Sequence, residues 1–166
     1  FDPLKVLRPL AELSRFGLVM AANTQVPANT LPEFVNHAKA NKGKINYASY
    51  SAGTLSHTLG VELNKLAGLD MVHIAYKGSP PALQDLIVGQ VQVSFDGAGN
   101  VEPHVKAGKL KVFATTAPQR LPMFPDVPTF AELGYKDLTE TAWAGLWSAA
   151  DLPAPIQQKM REATLK

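Results

Sequence analysis

Ser56 and His57 are the neighbouring residues best placed for covalent chemistry, because a serine beside a histidine can form a nucleophile and its general base. They lie in the stretch SAGTLSHTLG, which has the pattern of a helix start, and neighbours on a helix point about 100° apart. The G-x-S-x-G motif of serine hydrolases is missing, and so is the glycine-lysine motif of phosphate-binding loops. The sequence therefore predicts no catalytic residue at this junction.

The same junction is well suited to hold a small anion. Ser51 and Thr54 offer hydroxyl groups, Gly53 lets a ligand come close to the backbone, and the following helix turns unpaired N–H groups toward its start. His57 falls in the first helical turn, away from the leucine face, where a histidine is more often a surface residue than a ligand contact. An ordinary helix cap would use the same residues, so both interpretations stay open.

Two charged residues follow other predicted strands. Lys77, with Gly78, lies between a strand and a helix that begins with prolines, a place where lysine is commonly just solvated. Asp96 ends a strand with an alternating polar face, and an Asx-type cap of the turn DGAGN would account for it. A carboxylate in a binding cleft would repel an anionic ligand unless it accepts a hydrogen bond from a hydroxyl or ammonium group.

Composition argues against several other kinds of site. The 166 residues carry 16 basic and 14 acidic side chains without a block of like charge, which gives no support for a nucleic-acid surface. The chain has no cysteine, and its four histidines fall in separate predicted elements without metal-ligand spacing. No apolar run is long enough to span a bilayer. We therefore predict no metal, no cofactor, no nucleic-acid partner and no membrane-embedded segment.

Strand-like and helix-like segments alternate over residues 17–116, and this alternation positions the candidate residues. Short apolar or alternating runs predict strands at 17–23, 45–49, 71–76, 91–96 and 110–116. Helices are predicted between them, and the first begins with a capping box at Thr30 and Glu33. This order predicts an α/β fold with a mainly parallel sheet flanked by helices, in which ligands bind outside the carboxyl ends of the strands.

The composition changes after Thr116, where four prolines fall between positions 118 and 128. A second capping box at Thr129 and Glu132 then predicts a short helix. Residues 139–150 are predicted to form a strand, and a last helix is predicted to begin at Pro155. We expect a compact lobe over residues 16–116. Residues 1–15 and 117–166 would then contain the two hinge crossings and pieces of a first lobe. We also expect the chain to be an internal piece of a longer protein.

With these segments in order, the sequence resembles the TctC or Bug family, the periplasmic solute receptors of tripartite tricarboxylate transporters. The resemblance rests on FDPLKVLRPLAEL, NTQVPANTLPEFVNHAKANKGKINYAS, the run from GTLSHTLG to VSFD, PHVKAGKLKVFATTAPQR and PDVPTFAELGY, which occur in the family's order. The loop departs from the family at Ala48, Tyr50 and Ser51, where small residues are common. A tyrosine at the mouth of the cleft would either stack on an aromatic acid or narrow the site for a short aliphatic one.

The resemblance implies a bilobed, periplasmic binding protein-like fold, with one complete lobe and pieces of the other. It also implies a periplasmic receptor that captures a small carboxylated compound, delivers it to membrane permease subunits and catalyses no reaction. The ligand contacts that it implies are Ser49, Tyr50, Ser51, Gly53, Thr54, His57, Lys77, Gly78 and Asp96. Two alternatives stay open: a cytosolic ligand-sensing domain of a transcription regulator, and a small α/β hydrolase that acts through Ser51 or Ser56.

Overall fold

The computed structural model describes residues 2–165, which fold into two compact units. The larger unit comprises Gly17–Thr141, and the smaller unit combines residues 2–16 with residues 142–165. Strand β1 (Leu7–Asn23) contributes to both units. The apolar run predicted as a separate strand at 17–23 is therefore the second part of a strand that begins at Leu7.

The larger unit is built on a mixed sheet with the strand order β3, β2, β4, β1, β5. Strand β2 is parallel to both β3 and β4, whereas β1 is antiparallel to β4 and to β5. Four of these five strands therefore share one direction, in keeping with the predicted, mainly parallel sheet. The sheet is mixed because the antiparallel strand β1 lies between β4 and β5. The strands after β1 are β2 (Asn46–Ser49), β3 (Val72–Ala75), β4 (Val93–Gly97) and β5 (Leu110–Thr115).

The helices of this unit begin and end at the predicted signals. Thr30 Oγ1 accepts a hydrogen bond from Glu33 N–H at 3.3 Å, and the Glu33 carboxylate accepts from Asn29 N–H, one residue before the N-cap, at 2.7 Å. Gly68 and Gly89 close two of the helices in the left-handed conformation, with φ of 65° and 84°. The four helices are α2 (Leu31–Ala40), α3 (Leu55–Ala67), α4 (Ser79–Val88) and α5 (Ala98–Lys106).

The core of the larger unit is aromatic where helices meet the sheet. Phe34 of α2 packs on Phe113 of β5, with ring centroids 5.3 Å apart, and both rings are buried. Tyr47 of β2 is buried against α3, where Gly60 leaves room for its ring. A Cβ atom at Gly60 would lie 2.5 Å from Tyr47 Cζ, so the absence of a side chain there sets how closely α3 approaches β2.

Residues 117–141 pack within the larger unit, beyond the boundary at 116 expected from the sequence. Phe124, Phe130 and Leu138 of this segment are buried, which explains why it belongs to the unit. The helix predicted after Thr129 was wrong, although the capping-box hydrogen bonds form and Glu132 N–H donates to Thr129 Oγ1 at 3.1 Å. The chain makes only turns before Gly134 and then a 3₁₀ helix at Lys136–Leu138, because one helical turn is too short to propagate.

The smaller unit contains α1 (Pro3–Val6), the first part of β1, β6 (Thr141–Ala149), which pairs with β1, and α6 (Ala154–Thr164). The strand and the helix predicted over the end of the chain are therefore confirmed to within a few residues. Arg8 Nε donates to Ala150 O at 3.3 Å, which links the start of β1 to the end of β6. Within residues 2–165, no helix has both the length and the hydropathy needed to cross a membrane.

Candidate functional site

The candidate site lies at the edge of the larger unit where the parallel strands β2, β3 and β4 end. Helices α3, α4 and α5 begin at the same edge, each directly after one of these strands. Their N-cap residues are Thr54, Gly78 and Gly97, and none of the three caps its helix through a side chain. The first-turn N–H groups that lack partners inside a helix therefore face one edge, and the helix dipoles favour negative charge there. Helix α4 contributes only the N–H group of Ser79, because the next two residues are Pro80 and Pro81.

The loop between β2 and α3 is held together by hydrogen bonds that its own hydroxyl groups form. Ser51 O accepts hydrogen bonds from Ser49 Oγ at 3.0 Å and from Thr54 Oγ1 at 2.7 Å. Ser56 Oγ accepts from Tyr50 N–H at 3.1 Å and donates to Thr54 Oγ1 at 3.0 Å, because the Thr54 hydrogen is already used. Ser49 and Ser56 are fully buried, whereas Ser51 is exposed. Of these four hydroxyl groups, that of Ser51 is the one left open to a ligand.

His57 stacks on His73, a residue that was not predicted to belong to the site. The ring centroids are 4.0 Å apart. His57 Nδ1 accepts from Gly53 N–H at 3.0 Å, and His73 Nε2 lies 2.6 Å from Ser49 Oγ. Burial, and to a lesser degree the proximity of His57, lower the pKa of His73 below its ordinary value. The two rings therefore stabilise the loop, and Gly53 N–H already donates a hydrogen bond within the protein.

Asp96, at the end of β4, is a fully buried carboxylate. Its Oδ1 accepts hydrogen bonds from Tyr50 OH at 2.7 Å, from Asn100 Nδ2 at 2.9 Å and from Gly97 N–H at 2.6 Å. Its Oδ2 accepts from Ser79 Oγ at 2.6 Å. These donors belong to the loops that follow β2, β3 and β4, so the carboxylate is the point at which the three loops meet. Its oxygens are occupied by protein donors and do not depend on a ligand.

Tyr50 is held by its hydroxyl group inside this cluster. The hydroxyl donates to Asp96 and accepts from Gly97 N–H at 2.9 Å. Burial, followed by the negative charge of Asp96, raises the pKa of Tyr50 far above its ordinary value, so the phenol keeps its proton and is the donor. Since the hydroxyl already donates one hydrogen bond and accepts another within the protein, Tyr50 can offer a ligand only its ring.

Gly78 and Lys77 differ sharply in their surroundings. Gly78 N–H donates to Tyr50 O at 3.2 Å, and its φ of 102° is one that side-chain-bearing residues rarely adopt. Lys77 is exposed, and its ammonium group makes no hydrogen bond or ion pair with the rest of residues 2–165. The structure therefore brings together every residue of the predicted site except Lys77, which lies at the surface beside it.

Four residues join the site that the sequence analysis did not assign to it. Ser56 and Ser79 are helix-start serines, and the position of each after a strand was a usable signal. Asn100 lies in the first turn of α5, again just after a predicted strand end. His73 lies inside β3 and reaches the loop after β2 because these strands pair in parallel, in a register that places Tyr47 beside His73. No local sequence pattern reveals such a pairing.

The arrangement holds a loop and does not assemble a nucleophile with its base. Ser56 Oγ is engaged by Tyr50 and Thr54, and His57 by Gly53, so Ser56 and His57 use their hydrogen-bonding atoms on different partners. Within the described residues, no group of three or more histidine, aspartate or glutamate side chains could hold a metal ion. The groups at this edge that are open to a ligand include the exposed Ser51 hydroxyl and the Tyr50 ring.

A pocket of about 400 Å³ opens beside the Asp96 cluster, between α4 and α5. Ser79 and Asn100, both bonded to Asp96, form its polar end. Leu83 and Ile87 of α4 form an apolar wall. The pocket therefore adjoins the Asp96 cluster and runs along α4 and α5, where Gln84 and His104 also line it.

Comparison with known proteins gives one consistent match. A family described as "Tripartite tricarboxylate transporter family receptor", TctC, matches residues 1–166. Protein BugT of Bordetella pertussis is 33% identical over 85% of this chain and 44% of its own length. The chain thus spans about half the length, or less, of these curated relatives, including 48% of a protein from Agrobacterium vitis and 50% of a second one from Bordetella pertussis.

Solved structures agree with the sequence match. A chain described as "Structure of a periplasmic transporter" superposes with a TM-score of 0.95 and 34% identity, over 99% of this chain and 55% of that one. MatC from Rhodopseudomonas palustris, described with bound malate, superposes with a TM-score of 0.90 and 32% identity, over 96% of this chain and 54% of that one. The fold of the described residues is therefore that of about half of a periplasmic binding protein.

Proposed function

The chain belongs to the tripartite tricarboxylate transporter family of receptors, TctC or Bug, and from this premise we propose that it is an extracytoplasmic solute-binding receptor. It captures a small carboxylated compound and delivers it to the membrane permease of a tripartite tricarboxylate-type transporter. Its location is the periplasm, and it catalyses no reaction. The malate in the structure of MatC supports a ligand of this chemical class.

The observation that carries the proposal is the meeting of three helix starts without side-chain caps at one edge of the sheet. Such an edge attracts a carboxylate through N–H groups and dipoles without needing a cation. Ser51 adds an exposed hydroxyl group in the loop just before α3. We propose that the ligand's carboxylate is held at the α3 start by Ser51 and by the first-turn N–H groups other than that of His57, which donates to Thr54 O at 2.9 Å. The remaining predicted residues shape the surroundings.

Asp96 is compatible with this proposal despite its charge. Its oxygens accept from Tyr50, Ser79, Asn100 and Gly97, and the residue is fully buried, so it does not meet a ligand's carboxylate directly. Its charge lies behind the starts of α4 and α5, where their dipoles stabilise it. The α3 start is then the part of the edge whose dipole is not already opposed by a protein carboxylate.

The domain arrangement is part of the same proposal. The larger unit, Gly17–Thr141, is one lobe of a bilobed receptor, and residues 2–16 and 142–165 belong to the other lobe. The hydrolase alternative gains no support, because within residues 2–165 neither Ser51 nor Ser56 is hydrogen-bonded to a histidine ring, and Ser56 is buried as well. The alternative of a cytosolic sensor domain shares the architecture, and ligand class is what would separate the two.

The test is a thermal-shift and calorimetric screen of the purified protein against malonate, succinate, malate, adipate, citrate and benzoate. One of these acids should stabilise the protein by about 2.7 kcal/mol at a hundredfold excess over its dissociation constant. Ser51→Ala should weaken that binding, whereas Thr58→Ala, which removes another exposed hydroxyl from α3, should not. No stabilisation by any of the acids would refute the carboxylate assignment.

A further inference from the structure

Tyr50, like Asp96, is hydrogen-bonded to all three loops of the candidate edge, and it uses its backbone as well as its side chain. Its N–H donates to Ser56 Oγ of α3 at 3.1 Å. Its carbonyl accepts from Gly78 N–H, in the loop before α4, at 3.2 Å. Its hydroxyl donates to Asp96 at 2.7 Å and accepts from Gly97 N–H, at the start of α5, at 2.9 Å. Each loop therefore bonds to a different polar group of one residue.

The side-chain anchor differs in kind from the two backbone bonds. A hydrogen bond from a phenol to a carboxylate is charge-assisted and is stronger than a bond between neutral groups. The bonds at Ser56 and Gly78 are neutral, and each alone holds a loop only weakly. The hydroxyl thus fixes Tyr50 to the sheet at Asp96, and the backbone of Tyr50 then fixes the other two loops.

We infer that Tyr50 is a positioning residue that locks the loops after β2, β3 and β4 into one cooperative unit through its hydroxyl bond to Asp96. Release of the hydroxyl loosens not only the Asp96 contact but also the distant bonds at Ser56 and Gly78. Opening of the edge is then a single event that involves all three loops.

This role has a consequence for binding, which rests on the proposed function. A site whose loops are already fixed loses less conformational entropy when a ligand binds, so affinity is gained through pre-organisation. Tyr50 contributes to affinity without donating a hydrogen bond to the ligand, since its hydroxyl is engaged on both sides. Removal of the hydroxyl should therefore weaken binding while leaving the shape of the ring in place.

Amide hydrogen exchange of the ligand-free protein tests the role directly. In the unsubstituted protein, the amides of Tyr50, Gly78 and Gly97 should exchange through one common opening, with similar protection that falls in parallel when low concentrations of urea are added. In Tyr50→Phe, exchange at the Gly78 and Gly97 amides should rise about tenfold or more, because a charge-assisted bond is lost. The measurement on the unsubstituted protein decides the question even if a variant folds poorly.

Tyr76→Phe is the matched control. Tyr76 OH donates to Asp85 of α4 at 2.8 Å, so this variant also loses one phenol-to-carboxylate bond, but that bond does not join three loops. Tyr76→Phe should leave exchange at Gly78 and Gly97 within about twofold of the original rate. Equal acceleration in both variants would mean general destabilisation and would overturn the inference. Faster exchange confined to Gly97, or three unrelated protections in the unsubstituted protein, would overturn it too.

Calorimetry with malate adds a second readout. Tyr50→Phe should weaken malate binding about tenfold, and Tyr76→Phe should leave it unchanged. Unchanged malate affinity in Tyr50→Phe would refute the pre-organising role. Absence of malate binding by the unsubstituted protein would count against malate as a ligand under the proposed function alone, since the exchange measurements need no ligand.

Discussion

Replacement of Asp96 is the most direct test of the network at the candidate site. Asp96→Asn keeps the shape of the side chain and one acceptor oxygen, but it turns the other oxygen into an NH₂ group that donates. The carboxylate now accepts from four donors, three on Oδ1 and one on Oδ2. The amide can keep the first three as neutral hydrogen bonds, and the Ser79 hydroxyl must rotate to accept from the new NH₂ group.

The expected loss follows from these bonds. A hydrogen bond to a charged group contributes roughly 1.5–3 kcal/mol, and one between neutral groups roughly 0.5–1.5 kcal/mol. Conversion of the Oδ1 bonds therefore costs about 1 kcal/mol for each of the three. Relief of the desolvation penalty of a buried charge offsets part of this. We expect Asp96→Asn to lower the free energy of unfolding by about 2 kcal/mol, and Asp96→Ala, which orphans the buried donors, by about 4 kcal/mol.

Urea unfolding at neutral pH, followed by circular dichroism and tryptophan fluorescence, measures both variants. Asp126→Asn is the control, because Asp126 is an exposed aspartate of the same unit and its replacement should change stability by less than about 0.5 kcal/mol. If Asp96→Asn were as stable as Asp126→Asn, the four donors would not depend on the carboxylate, and the description of Asp96 as the meeting point of the loops would be refuted.

Two further predictions concern packing and pH. Gly60→Ala should destabilise the protein by about 1–3 kcal/mol in thermal denaturation, because its Cβ would overlap the Tyr47 ring. The control Gly99→Ala places its Cβ in open space in α5 and should be neutral or stabilising. Comparable losses of stability in both variants would contradict the packing argument. The lowered pKa of His73 means that the unfolded chain binds its proton first, so stability should fall as the pH drops below the ordinary histidine value of about 6.5 and level off below the folded pKa. His73→Gln should flatten this part of the stability profile measured by urea unfolding between pH 7.5 and 5, and an unchanged slope would rule out His73 as its source.

The strand–helix alternation could be predicted from sequence because each element carries its own local signal. The capping box at Thr30 and the terminal glycines Gly68 and Gly89 mark helix boundaries that the structure places within a residue or two. The insertion of β1 between β4 and β5 could not be predicted in this way. It depends on pairings such as Leu18 with Gly97, between residues far apart in the sequence, and local periodicity carries no information about such partners.

The candidate site was predictable in outline for a related reason. Parallel strands end at a common edge, so the loops at Ser49, Gly78 and Asp96 had to come together. The partners of each side chain were not predictable, because they depend on register and on which atoms have spare donors. The sequence left Asp96 as a charge that would repel a ligand, and only the geometry shows that protein donors surround it.

The position of β1 in the sheet has a consequence for how the chain is made. Leu18 N–H donates to Thr116 Oγ1 across 98 positions, whereas β2 and β3 pair over a much shorter span, from Asn46 to Val72. Pairing across long separations slows folding, because loop-closure entropy is lost before the contacts form. During synthesis the apolar run 17–23 leaves the ribosome long before β4 and β5 exist. Strand β1, which lies between β4 and β5, therefore waits longer for its partners than β2 does, and its apolar run is exposed to aggregation until they form.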